Sequence, residues 1–312
     1  MVVQLASQVA SSNHDPLTQF GGKSDPSRRE DPTLNCLLCG KNEAIENSHI
    51  IPSFVFKWMK ATAPTEYLRT TETPRQRVQD GHKGPYLCLN CEGRFGKWEN
   101  HFSEGFFQAL IVDPTLPAPE PELDDGARKC VLSIMWRSVI HLQFRAESTS
   151  NTLEHADFAA LDLAQTDLES AIEGHSNYRL NFMHLTPSNV DAFHLPLYRR
   201  NAYLYDRGAC EDTRVMDDGV TVFLKLPRAL FWIHTSREIG SHVKDLPVYD
   251  LNDLTKVNGF LNSLVHTLGE ARAGMSLKQI EKVRRAIRAD KADADWSRSA
   301  QREVGDDPQT ST

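Results

Sequence analysis

Apolar and polar positions alternate in blocks that change character several times along the chain. Residues 1–32 are rich in Ser, Asp, Pro, Gly and Gln and offer little to bury, which predicts a flexible lead-in. Within 33–112, Phe95, Trp98, Phe102 and Phe106 recur at spacings of three and four, the buried stripe of a helix. Asp113 to Asp125 (DPTLPAPEPELDD) is Pro-rich and acidic and reads as a linker. Beyond it, Val131, Ile134, Met135, Val139, Leu142 and Phe144 predict a helix from about 126 to 147, and 153–173 a second one. The polar break Glu147 to Asn151 separates them. Three β-like runs follow, Tyr178 to Leu185, Ala192 to Tyr205 and Thr221 to Thr235. In the last, Val222-Phe223-Leu224 and Leu230-Phe231-Trp232-Ile233 flank a Pro227-bearing break, a hairpin signal. Helical patterns return at Val257–Leu268 and Leu277–Ala292, and the tail from about 295 is polar. Helices segregated from a mostly antiparallel sheet predict an α+β fold for 126–294.

With 312 residues the chain has room for two modest domains, and 40% hydrophobic with 25% charged residues predicts a buried core. The net charge of −7 and pI near 5.9 argue against a surface that is basic throughout, though not against a local basic face. The start, MVVQLASQVASSNHDP, has no basic segment and no sustained apolar stretch, and no run approaches the roughly 20 apolar residues of a membrane helix. The expectation is a soluble, cytoplasmic protein without a membrane partner; no protein partner or oligomeric state is legible.

Six cysteines are too few for a disulfide scaffold in a chain of this size. Four of them form two C-x-x-C pairs, Cys36-Leu37-Leu38-Cys39-Gly40 and Cys88-Leu89-Asn90-Cys91. Such turns converge two thiolates on one ion, and the trailing Gly permits a tight backbone. Four thiolates close a tetrahedral zinc sphere and leave no position for water, so Cys36, Cys39, Cys88 and Cys91 are expected to bind a structural Zn²⁺. Cys130 and Cys210 are isolated among apolar neighbours and read as buried hydrophobes.

Between the pairs stands Ser48-His49-Ile50-Ile51-Pro52, and the second pair opens the helical stripe containing Glu92, Glu99 and His101. C-x-x-C-G, then His-Ile-Ile-Pro, then Leu-Cys-x-x-Cys and a helix, over roughly residues 33–102, resembles the HNH endonuclease superfamily in its treble-clef form. That resemblance implies a zinc-bound ββα-metal-like domain with His49 as general base on the attacking water. It also implies a catalytic Mg²⁺ or Mn²⁺ held by the residue before the His and by one on the following helix, here Ser48 and Glu92. Ser48 stands where the family places Asp or His, and Glu92 where it places His or Asn. The middle Asn has no obvious counterpart; Gln79, Asp80 and His82 are the residues able to stand in.

Arg75, Arg77 and Lys83 on a polar stretch, with Arg94 on the helix, are the candidate nucleic-acid contacts; a solvated loop is the plain alternative. In the second domain His141 and His184 read as core or surface residues, and Phe223, Phe231 and Trp232 as sheet core. The expected organisation is a lead-in (1–32), an HNH-like zinc domain (33–112), a linker (113–125), an α+β domain (126–294) and a tail (295–312). The expected function is metal-dependent hydrolysis of phosphodiester bonds in DNA or RNA, with a bacterial defence effector as one setting by analogy. The alternative is a non-catalytic, zinc-stabilised module that binds nucleic acid or protein.

Overall fold

The structure is a computed structural model that describes residues 3–4, 34–63, 67–70, 73, 75–111, 122–148, 153–176, 180–185, 207–236 and 257–264, with 266, 278, 281 and 285. The lead-in apart from residues 3–4, the linker up to 121, the run from Ala192 to Tyr205, the pattern from Leu277 to Ala292 apart from three residues, and the tail from 295 lie outside them.

The cysteine-bearing segment is assembled from short pieces. Val3–Gln4 (β1) pairs in parallel with Arg69–Thr70 (β3). Ser48–His49 (β2) pairs antiparallel with Lys83–Gly84 (β4), Ser48 opposite Gly84 and His49 opposite Lys83. Between them lies Ser53–Ala61 (α1), which begins just after Pro52 and buries Val55, Phe56 and Met59. Leu89–Phe102 (α2) follows the second cysteine pair, with Cys88 at its extended N-cap. Phe95 and Phe102 are buried as the stripe predicts, and Trp98 packs against the core at its edge. A π-turn over Ser103–Phe107 buries Phe106 and Phe107 before Gln108–Ile111 (α3).

Asp125–Ser148 (α4) and His155–Ile172 (α5) match the two helical patterns beyond the linker. From Cys130 to Leu142 every residue of α4 is buried, so this helix is enclosed on all sides. It packs on α2, on α5 and on a four-stranded antiparallel sheet of order β5-β8-β7-β6. The strands are Asn181–His184 (β5), Cys210–Met216 (β6), Gly219–Leu226 (β7) and Ala229–Ser236 (β8). β7 and β8 form the expected hairpin. Pro227 fixes the first turn position, and Arg228 takes φ 60°, the pattern of a type II turn.

Alternation along the strands gives the sheet two apolar faces. Val220, Val222, Leu224, Phe231 and Ile233 join the core shared with α2, α4 and α5. Phe223, Leu230 and Trp232 face the helical stretch 257–264, where Phe260 stacks on Phe223 at 4.5 Å between centroids. The fold is α+β, with helices on both sheet faces. The first core runs without interruption from Cys36, Ile50 and Phe95 through α4 to the sheet. Cys130 and Cys210 are buried as expected, and burial pushes both thiols well up. Among the described residues, no helix is long and apolar enough to cross a membrane.

Candidate functional site

The four paired cysteines converge. Their sulfur atoms all lie within 4.8 Å of one another, and Cys39 Sγ is 3.8 Å from Cys88 Sγ. Zn–S bonds of about 2.3 Å in a tetrahedron place sulfurs about 3.8 Å apart, so the donor set is compatible with zinc. The first knuckle closes through Gly40, at φ 64°, whose N–H donates to the Cys36 carbonyl. Backbone N–H groups of Lys41 and Asn42 pull the Cys39 thiol down to about 6. Burial and the crowding of neighbouring sulfurs push Cys91 the other way. A bound dication would offset that crowding by taking all four as thiolates. Among the described residues no other group of three His, Cys, Asp or Glu converges in this way.

The strand pair β2/β4 stands beside this cluster, and its two β2 residues reach separate partners. Ser48 is fully buried and donates its hydroxyl to Glu92 Oε2 in the first turn of α2, at 2.6 Å. His49 is partly exposed, and its Nε2 lies 2.7 Å from Asp80 Oδ2. Lys83 Nζ approaches the same oxygen at 3.1 Å. Partial burial raises the Asp80 pKa, but hydrogen bonds from His49 and Lys83 outweigh it, and the carboxyl sits below its ordinary range. Asp80 is therefore ionised at neutral pH and can only accept, so His49 donates to it from Nε2, the tautomer that leaves the lone pair of an uncharged ring on Nδ1.

Behind the strand lies Arg137 from the middle of α4, with no side-chain exposure. It donates to the main-chain carbonyl of His49 and, at 2.8 Å, to Glu99 Oε1 on α2. A second buried network flanks β4. His82 Nδ1 is 3.0 Å from Glu211 Oε1, and the His82 ring stacks on His141 at 5.2 Å. Tyr86 Oη lies 2.7 Å from His141 Nδ1. Burial, with His82 and Arg145 adding repulsion, drives His141 down to about 3, so it is neutral. Burial holds the Tyr86 hydroxyl protonated.

Of the candidate phosphate contacts, Arg75, Arg77 and Lys83 are exposed on the stretch that carries Asp80, with Arg77 over the Tyr67 ring at 3.9 Å. Arg94 is set apart from them by its 2.8 Å ion pair with Glu173 past the end of α5. His101 turns to Asp124 at 2.7 Å, at the start of α4. His184 lies on β5, and Phe223, Phe231 and Trp232 are sheet core as expected.

Asp80 was legible only as one of three stand-ins, and Arg137 and Glu211 were not legible as members of this neighbourhood. Neither belongs to a local motif; the one signal for Arg137 was a charge amid an apolar helical stretch. Comparisons of the chain with family models, with characterised proteins and with solved structures returned no match.

Proposed function

We propose that this chain is an HNH-like, metal-dependent nuclease that hydrolyses phosphodiester bonds of DNA or RNA on a zinc-stabilised treble-clef scaffold. The supporting observation is the 2.7 Å pair of His49 on β2 and Asp80 in the bend just before β4, ahead of the helix that the second cysteine pair opens. Asp80 orients the ring and leaves Nδ1 to take a proton from the attacking water, the general-base role. It thereby fills the part that an Asn takes in the HNH pattern. Glu92, with the Ser48 hydroxyl beside it, would hold a Mg²⁺ or Mn²⁺ ion, which would neutralise charge growing on the scissile phosphate. A single carboxylate suits an ion that keeps most of its waters and gains phosphate oxygens from substrate. Arg75, Arg77 and Lys83 would meet neighbouring phosphates.

The test is cleavage of supercoiled plasmid and of structured RNA with Mg²⁺ or Mn²⁺, native chain against His49→Ala. Ion-dependent cleavage lost on substitution, by about 10²-fold or more, is the expected result. Equal cleavage by both proteins removes His49 from the chemistry.

One observation favours a second reading, a non-catalytic module binding nucleic acid or protein. The Ser48–Glu92 hydrogen bond at 2.6 Å already satisfies a carboxylate oxygen with a buried hydroxyl. Retained nucleic-acid binding in a gel-shift assay, with no cleavage under either ion, decides for that module.

A further inference from the structure

Arg137 is the residue whose environment asks most for an explanation. A guanidinium with no solvent exposure must be fully partnered, because a buried unpaired charge is prohibitive. Its donors are distributed over three elements. Nε donates to the Ser133 carbonyl on its own helix at 3.1 Å, and Nη2 to Ser133 Oγ at 3.3 Å. Nη2 also meets Glu99 on α2 at 2.8 Å, and Nη1 takes the main-chain carbonyl of His49 on β2. The Phe95 ring closes one side, 5.4 Å from the guanidinium carbon. A staple joining α4 to α2 needs only Glu99. The bond to His49 is additional, and it falls on the residue whose ring faces Asp80.

We infer that Arg137 is a positioning residue for His49: Glu99 and Ser133 lock the guanidinium, which fixes the β2 main chain and so holds the imidazole on Asp80. This goes beyond the nuclease reading but rests on it for its activity readout. β2 is a two-residue strand, so its ladder to β4 supplies little rigidity of its own. Guanidinium geometry matters here, because a planar fork can address the carbonyl and the carboxylate at once, whereas an ammonium is a point charge with free rotation. The larger α+β part of the chain thereby becomes a wall of the candidate centre.

The experiment compares full-length Arg137→Lys and Glu99→Gln with Trp136→Phe. The last removes the 3.0 Å indole bond to Glu169 while keeping an aromatic ring against Phe95. Three quantities are read: thermal stability with zinc content, kcat and KM for plasmid cleavage, and the His49 ring ¹H–¹³C resonance at one fixed pH. That resonance is assigned by its disappearance in His49→Ala. Arg137→Lys is expected to lower kcat by about tenfold to a hundredfold while KM stays within about twofold, as misplacement of a catalytic group does. It should also move the His49 resonance. Glu99→Gln should give a smaller change of the same kind, and Trp136→Phe should lose stability and leave the resonance in place. A folded, zinc-loaded Arg137→Lys with native kcat and an unmoved resonance overturns the inference. So does a resonance that moves equally in Trp136→Phe. If the native chain cleaves nothing, the nuclease reading fails by itself, and the resonance still decides whether Arg137 positions His49.

Discussion

His49 and Asp80 meet across a 31-residue separation, and each modifies what the other can do. The carboxylate settles which ring nitrogen carries the proton, and removing its charge while keeping its shape should show how much that matters. On the proposed nuclease reading, Asp80→Asn is expected to cut plasmid cleavage by about tenfold to a hundredfold, with the fold intact by circular dichroism. His141 makes a complementary prediction about pH. Its pKa falls from 6.5 in the unfolded chain to about 3 in the fold, so between those values the unfolded state binds the extra proton. Stability at His141 should therefore be complete above pH 6.5 and decline as pH falls toward 3, by up to about 1.4 kcal/mol per unit. Urea midpoints from pH 7.5 to 5 should show that slope, and His141→Gln should flatten it. An unchanged slope would assign the acid sensitivity to other groups.

At the level of elements, the β2/β4 pair is small and depends on what surrounds it. Gly84 sits opposite Ser48, and a Cβ there would lie 2.3 Å from the ring of Tyr86, itself buried and bonded to His141. Gly84→Ala should cost on the order of 1–3 kcal/mol by overpacking, and a cleavage assay at a temperature where the variant is folded should show a parallel loss. A neutral Gly84→Ala would mean that Tyr86 has room to retreat. The β7/β8 hairpin and the α2 stripe were legible because apolar periodicity and a Pro-bearing turn point to the same answer. α1 and β6 were not. Cys210–Met216 carries Glu211, Asp212 and Arg214, three charges that break any apolar alternation, yet Glu211 and Asp212 are buried. Partners near and far make this possible: His82, 129 residues away, meets Glu211, while Arg214, two residues along the strand, pairs with Asp212 and reaches Ser263.

Across the whole molecule, one apolar core joins the cysteine-bearing segment to α4 and the sheet. Structure and a zinc ion held by the four cysteines should then be lost together. Thermal unfolding followed by tryptophan fluorescence and zinc release followed by a colorimetric chelator are expected to give coincident transitions. Stripping the metal, or replacing Cys88 by Ser, should lower that transition for the entire chain rather than release the N-terminal segment alone. A two-step curve, with zinc leaving first and the sheet melting later, would show that the shared core does not couple them.

The sequence by itself determined the features whose physics is local. Two C-x-x-C turns can converge four thiolates, a three-four aromatic spacing buries one helix face, and alternating apolar residues around Pro227 make a hairpin. His49 and Glu92 were visible as candidates because short motifs surround them. Tertiary structure alone decided which of Gln79, Asp80 and His82 faces His49, since adjacent residues on a loop carry no periodicity that orders them. It alone decided that Ser133, Arg137, Ser138 and His141 of α4 are buried, because the apolar spacing that reveals the helix marks one face and says nothing of what covers the others. Arg137 is the consequence: its charge is tolerable only beside Glu99 and the His49 carbonyl, partners that the fold brings from 38 and 88 residues away.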